Sequence, residues 1–301
     1  MVGRALSMPC LAIVIASFAS VDPAVAYTAS GDRVFPATLI LPQLTPGDEF
    51  YLNYNMQPLS SSGAGTANRA SNFTATWGKT ITDRLGVFIE ETYTGIGQVG
   101  AGTAWGWQNL DGEIKYLAVN DPDHEFLMSV GIDRETGGTG AARVGASPSG
   151  ATTPRIYFGK GLGDLDIGYL RPLAVTALGG VQLADTAPRP DVVTNGFVIE
   201  YSIPYLQSKV RSFDLPDLIR GMTPMTEFFF TSPAGRSYGT RSTALIAPGI
   251  SYAGEGWEFG VEALVPASRA TGSGVGVVAQ FHVALDFSLP DSVGRPIFLN
   301  Q

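Results

Sequence analysis

Two histidines and one cysteine are the only imidazole and thiol groups in this 301-residue chain. Acyl transfer needs a nucleophile, a histidine and an orienting acid or amide within reach of one another. His282 is followed by Val283 and Ala284, with no serine two residues on, and His124 sits in the polar run DPDHE. DPDHE gathers Asp121, Asp123, His124 and Glu125, donors that suit a hard cation or zinc. Asp-Pro chemistry also makes this run a solvated turn, which is the simpler reading. GKGLG, Gly159 to Gly163, has the glycine count of a phosphate loop. It lacks the strand–loop–helix context, so it reads as a glycine-rich hairpin turn. NFT at Asn72 matches a glycosylation sequon but falls in mid-strand. Cys10 is the sole cysteine. No catalytic residue, metal site or cofactor site is read from these groups, and the chain is not read as an enzyme.

The remaining ionisable groups follow a different rule. In VGVVAQFHVALDF, Val275 to Phe287, every odd position is apolar, and the even positions are mostly small or polar. A period of two is a β-strand. Its length exceeds that of ordinary globular strands and suits a tilted strand crossing a membrane. The same alternation recurs in EFYLNYNMQ, SNFTATWGK, RLGVFIEETY, NLDGEIKYLA and EFLMSVGIDRE. PRIYFGK, GFVIEYSI, MTEFFFT, TALIAPGISY and WEFGVEALV follow; the alternation in PLAVTALGGV is weak and leaves its faces unassigned. These make about 12 strands, an even number as in single-chain outer-membrane barrels. On this register the inward face carries Glu49, Asn53, Arg84, Glu90, Asp111, Glu113, Lys115, Asp133, Glu135, Arg155, Glu200, Glu227, Glu258, Glu262, Gln280, His282 and Asp286. Acids outnumber bases, and carboxylate rings favour cations in a water-filled pore.

Connection lengths alternate as well. LSSSGAGTAN, GIGQVGAGTA, TGGTGAARVGASPSG, ADTAPRP, SPAGRSYGT and PASRATGS are the longer ones. TITD, NDPD, GLGDLD and AGE are short. Short periplasmic turns opposite longer outer loops are the barrel pattern, with both termini in the periplasm. YLQSKVRSFDLPDLIRG breaks the rule: either it carries a helical turn or a strand has been misread. Tyr93, Trp105, Trp107, Tyr116, Tyr169, Tyr252 and Trp257 fall near strand ends, where interfacial girdles sit. Ordinary strand composition also favours aromatics.

Composition agrees with this picture. Hydrophobic residues make up 45% and charged residues only 15%. No apolar run after the leader reaches the ~18 residues of a membrane helix. Arg4, the run LAIVIASFAS and AVA ending at Ala26 read as a Sec signal peptide over residues 1–26, cleaved near Ala26. The mature chain is then free of cysteine. A net charge of -8 disfavours nucleic acid as a partner. A soluble β-sandwich or propeller would leave too many Phe, Tyr, Trp and Val side chains facing water.

The expected organisation is a signal peptide at 1–26 and a periplasmic leader or lumen plug at 27–45. A transmembrane antiparallel up-and-down β-barrel follows at 46–287, and a periplasmic tail at 288–301. QFHVALDF, with Phe281, Leu285 and Phe287, looks like the signal read by the barrel assembly machinery; Phe298 in the tail is a competing candidate. TPGDEFYLNYNM, FGKGLGDL, and GVEALVP followed by GVGVVAQFHVALDF resemble proteobacterial outer-membrane barrels of the MetA-pathway of phenol degradation family. The resemblance implies a transporter barrel passing small, often aromatic, compounds, and it brings no catalytic residues. The expected partners are outer-membrane lipid, the assembly machinery and a small-molecule solute, in a Gram-negative outer membrane. The expected function is passive passage through a narrow acidic lumen. A non-conducting structural or surface-binding barrel stands as the alternative, and a lipid-acting enzyme as a further one.

Overall fold

A period-two pattern buried on one side only has to close on itself or cover its other face, and here it closes. The computed structural model describes residues 28–59, 67–98 and 102–298. The signal-peptide reading, the loop around 60–66 and the last three residues lie outside them.

The strands are β1 (Glu49–Pro58), β2 (Ala67–Thr82), β3 (Leu85–Gln98), β4 (Gly102–Trp107 and Asp111–Asp121), β5 (Phe126–Glu135) and β6 (Ala151–Gly161). They continue with β7 (Leu173–Ala184), β8 (Val192–Tyr201), β9 (Met222–Pro233), β10 (Thr243–Ala253), β11 (Trp257–Pro266) and β12 (Gly276–Ala284). Each pairs antiparallel with its sequence neighbour, and β12 closes the barrel on β1 with Phe281 opposite Leu52. The two segments of β4 pair with the same strand, Tyr93 opposite Trp107 and Glu90 opposite Asp111. They form one stave interrupted at 108–110, where the loop after β5 bonds instead: Ala141 N–H donates to Trp107 O at 2.8 Å. Twelve antiparallel strands therefore close the barrel.

The two faces divide as the alternation requires. Leu52, Phe73, Ile89, Ile114, Ile132, Ile199 and Phe259 point outward and are exposed. Tyr51, Glu113, Glu200, Glu227, Glu258 and Glu262 point inward and are buried. β7 gave no clear faces because its inward side, Ala174, Thr176 and Leu178, is small or apolar, as is its outward side.

Two connections differ from expectation, and a third takes one of its two expected forms. β3 and β4 extend to leave only 99–101 between them, so GIGQVGAGTA is mostly strand. The connection after β6 runs over 162–172 and contains a 3₁₀ turn at Gly168–Leu170, so it is longer than GLGDLD suggested. The 202–221 connection is indeed helical, with turns at Ile203–Tyr205, Leu206–Val210 and Asp217–Arg220.

These longer turns have a docking partner. A small hairpin, Ala29–Ser30 paired with Arg33–Val34, packs against them at the short-turn end. Arg33 is fully buried. Its guanidinium meets Glu125 at 3.3 Å, donates to the carbonyls of Pro172 (3.0 Å), Leu173 (3.2 Å) and Arg171, and lies 4.1 Å over the Tyr205 ring. Tyr205 Oη donates to Glu125 at 2.9 Å, and Lys209 pairs with Asp32 at 2.7 Å. The tail folds back on the end of β2, where Phe298 N–H donates to Ile81 O at 2.8 Å.

Removing one partner of a buried ion pair strands the other, at a cost of about 3–5 kcal/mol. Arg33→Ala should therefore free the hairpin while leaving the barrel closed. Limited proteolysis should cut within 28–45 in the variant and not in the parent protein.

Candidate functional site

Residues 35–45 have no strand period, and the wall explains where they go. The segment crosses the barrel interior. Ala37 N–H donates to Glu258 at 3.1 Å. The N–H groups of Leu39, Ile40 and Leu41 all donate to the Glu227 carboxylate, at 2.5, 3.2 and 2.9 Å. Gln280 Nε2 donates to Thr38 O at 2.9 Å, and Lys115 Nζ donates to Gln43 O. A bend held by Thr38 Oγ1 donating to Leu41 O at 2.6 Å turns the three N–H groups to one side.

Glycines in the wall make room for the segment's side chains. A methyl group on Gly260 would lie 2.7 Å from Leu39, and one on Gly159 would lie 2.4 Å from Leu44. Gly196 faces Leu41 in the same way, at 3.0 Å. Phe35, Leu39, Leu41 and Leu44 join Leu127, Tyr157, Leu178, Val198 and Met225 in one apolar cluster. The core of this barrel is thus an inserted segment packed against the wall.

Beyond the segment, toward the long loops, the lumen is a polar well. A cavity of about 370 Å³ is floored by Thr38 to Gln43, and a second of about 420 Å³ shares Asn55, Asn72, Thr74, Glu90 and Asp111 with it. One wall is a ladder of neutral groups. Asn72 Nδ2 donates to Asn55 at 2.8 Å, Thr94 Oγ1 to Asn72 at 2.8 Å, and the Thr74 and Thr92 hydroxyls meet at 2.8 Å. Another wall is charged. Arg155 lies 3.0 Å from Asp133 and 3.7 Å from Glu113, while Lys115 lies 3.3 Å from Glu113 and between the rings of Phe88 and Tyr157. His282 stacks on Tyr51 at 4.3 Å and faces Glu49 at 3.3 Å and Glu258 at 3.9 Å.

The structure places Glu49, Asn53, Glu90, Asp111, Glu113, Lys115, Asp133, Glu135, Arg155, Glu200, Glu227, Glu258, Glu262, Gln280 and His282 on the inward face. Arg84 is a correction: it sits exposed in the β2–β3 turn. Asp286 is another, because β12 ends at Ala284 and Asp286 lies in a helical turn, Leu285–Ser288. Leu285 and Phe287 of the expected assembly signal share that turn, so only Phe281 is in the strand. The inward Phe88 and Tyr157 were missed. Alternation with Glu90 and Arg155 places both on the inner face. Among the DPDHE residues, His124 meets Asp121 at 2.9 Å in an exposed turn, while Glu125 is buried under Arg33. Trp105 and Trp107 pack with Tyr93 on the outer surface near the long loops, and Trp257 with Tyr252 near the short turns.

No family model matches the chain, and no curated protein matches it. Solved structures do. The COG4313 outer membrane channel from Pseudomonas putida F1 is 13% identical, with a TM-score of 0.53, covering 83% of this chain and 99% of that one. The KdgM porin is 10% identical at a TM-score of 0.46, covering 78% and 98%. LpxR from Salmonella typhimurium is 8% identical at 0.45, covering 78% and 99%. The fold is that of an outer-membrane β-barrel.

The rim of this barrel is tied by ion pairs that join the long loops to one another and to the end of β5. Arg236 holds Asp191 at 2.8 Å, Arg189 holds Glu135, and Arg134 holds Asp185 at 2.5 Å. The Arg236 hydrogen bond, aided by the Ala184 N–H, holds the Asp191 carboxyl down at about 2 from its ordinary 3.8. A carboxylate whose pKa falls on folding stabilises above its unfolded pKa and loses that stabilisation as pH falls through the folded one. The Asp191–Arg236 tie should thus be intact at pH 7 and fade between about pH 4 and pH 2. A carboxyl-carbon NMR titration of Asp191 should show its midpoint near that lower limit, and Arg236→Ala should return it to the usual range.

Proposed function

We propose that this chain is an outer-membrane barrel of a Gram-negative bacterium, exported by the Sec route with cleavage near Ala26. It allows passive passage of small solutes through a narrow, acid-rich lumen. Residues 27–45 act as a plug, and both termini face the periplasm. The observation that carries this reading is the lumen: a polar well that ends on a segment held by side chains of the wall. The well carries Glu90, Asp111, Glu113, Asp133 and Glu135 against Lys115 and Arg155. An excess of carboxylates raises the local concentration of cations and repels anions. Similarity at this level of identity supports the fold, while function rests on the site. The resemblance to the phenol-degradation barrels adds small aromatic compounds as a solute class. The neutral amide and hydroxyl ladder is compatible with uncharged solutes of that size.

The assembly machinery and outer-membrane lipid belong to the same reading. β12 ends in alternating residues with Phe281 outward, and apolar side chains cover the outer face of the barrel.

The test is electrical. Mature protein, residues 27–301, is refolded in detergent and placed in a planar bilayer with a KCl gradient. The expected result is small conductance steps with a reversal potential of cation-selective sign. A barrel lacking residues 27–45 should conduct several-fold more while keeping that sign. Anion preference would overturn the acidic-lumen reading. Equal conductance with and without the segment would overturn the plug. Silence from both, with folding shown by a heat-modifiable gel shift, would leave the structural barrel as the better reading.

A further inference from the structure

The plug sits on a part of the wall that carries four buried carboxylates. Glu227 on β9 and Glu258 on β11 accept its N–H groups. Two more inward carboxylates flank them. Glu200 on β8 pairs with Met225, one turn of the pleat from Glu227, and Glu262 on β11 pairs with Gly249. The Glu262 side chain lies across Gly249, where a methyl group would be 2.5 Å from its Cγ, and so leans along the wall toward β9. Neighbouring strands are about 4.8 Å apart, so Glu200 and Glu262, on one register row and three strands apart, have backbones about 14 Å apart, with Glu227 two residues to one side of that row and Glu258 four residues to the other. Between them β10 offers only Ala247, Gly249 and Ser251.

Glu200 and Glu262 are each 99% buried at 1% exposure, yet neither carboxylate has a hydrogen-bond partner at either oxygen among the described residues. Arg33, the nearest buried guanidinium on the plug, is engaged with Glu125 and three carbonyls. A buried carboxyl without a partner stays protonated until a cation reaches it, because an unpaired charge there costs several kcal/mol. A wall built only to grip a peptide segment would have no need of these two groups.

We propose that this acidic bay is the binding site of a small N–H-rich cation, a primary amine or guanidine, and that the plug's main-chain N–H groups hold the site in its absence. The proposal rests on reading 27–45 as a plug. A guanidinium or ammonium offers the three or more donors that Glu227 now takes from Leu39, Ile40 and Leu41, and it adds the positive charge that residues 37–41 lack. The slots at Gly196 and Gly260, vacated by Leu41 and Leu39, would take a short apolar chain attached to it. Solute and plug then compete for one seat, so binding of the solute releases the segment.

The mature chain has no cysteine, which gives a direct readout. In full-length mature protein carrying Ile40→Cys, maleimide labelling in proteoliposomes reports release of the plug. Agmatine, a guanidine with an amine, should raise the labelling rate saturably, whereas glucose and glutamate should leave it unchanged. Glu262→Gln should weaken the response by about tenfold, the scale of losing one charge-assisted hydrogen bond. Calorimetric titration of agmatine into the parent protein supplies the second measurement, because it does not depend on the cysteine variant. No binding by calorimetry, or equal labelling with glucose and agmatine, would overturn the proposal. If ions pass in the bilayer while agmatine neither binds nor changes labelling, the bay is wrong and the channel stands. If agmatine binds and frees the segment while no ions pass in any condition, the channel is wrong and the bay stands.

Discussion

Glu227 accepts three consecutive main-chain N–H groups, and the interior is arranged around that clasp. A barrel of twelve strands has more inner surface than its own side chains can fill. Here the chain supplies the filler from its own N-terminal segment, and an inserted backbone brings donors that need acceptors. A carboxylate is the strongest acceptor a wall can offer, and it can take several donors at once. Glu258, Gln280 and Lys115 extend the same logic to the neighbouring groups, so the wall reads the segment's backbone while three glycines admit its leucines. The hairpin under Arg33 then fixes the segment's entry, and β1 fixes its exit.

The strands are legible because each turns an apolar face outward and a polar face to the interior, which imposes a period of two. Phe50, Leu52 and Tyr54 against Tyr51, Asn53 and Asn55 is a pattern that few other environments demand. The same reading failed where that contrast disappears. β7 faces an apolar segment on its inner side, so Ala174 and Leu178 gave no signal against Val175 and Ala177. The C-terminal end of VGVVAQFHVALDF kept the alternation beyond Ala284 but lost its neighbour, because Leu285 N–H bonds to Asp48 O and the chain turns there. Arg84 fits the inner face by parity but lies in the exposed two-residue turn, because β2 runs on to Thr82 and β3 begins only at Leu85.

The candidate site was half legible. The carboxylates could be placed on the inner face from spacing alone, but nothing in FPATLILPQLTP says that Glu227 is its partner, since that contact spans 188 residues. The 202–221 connection was also opaque. It breaks the rule of short turns because it has a second task, covering Arg33 with Tyr205. The acids around the segment divide accordingly. Glu125, in the short turn, fastens the hairpin at the segment's start through Arg33, Glu227 and Glu258 hold its middle, and the upper acids face the well.

The claim on which all of this depends is that residues 37–41 are seated on the wall in the folded protein. Hydrogen exchange followed by mass spectrometry on the unmodified mature chain in detergent tests it most directly. The account predicts that the amides of Ala37, Leu39, Ile40 and Leu41 exchange as slowly as those of the barrel strands. Exchange within seconds across 37–41, with the strands protected, would show a free leader and contradict it.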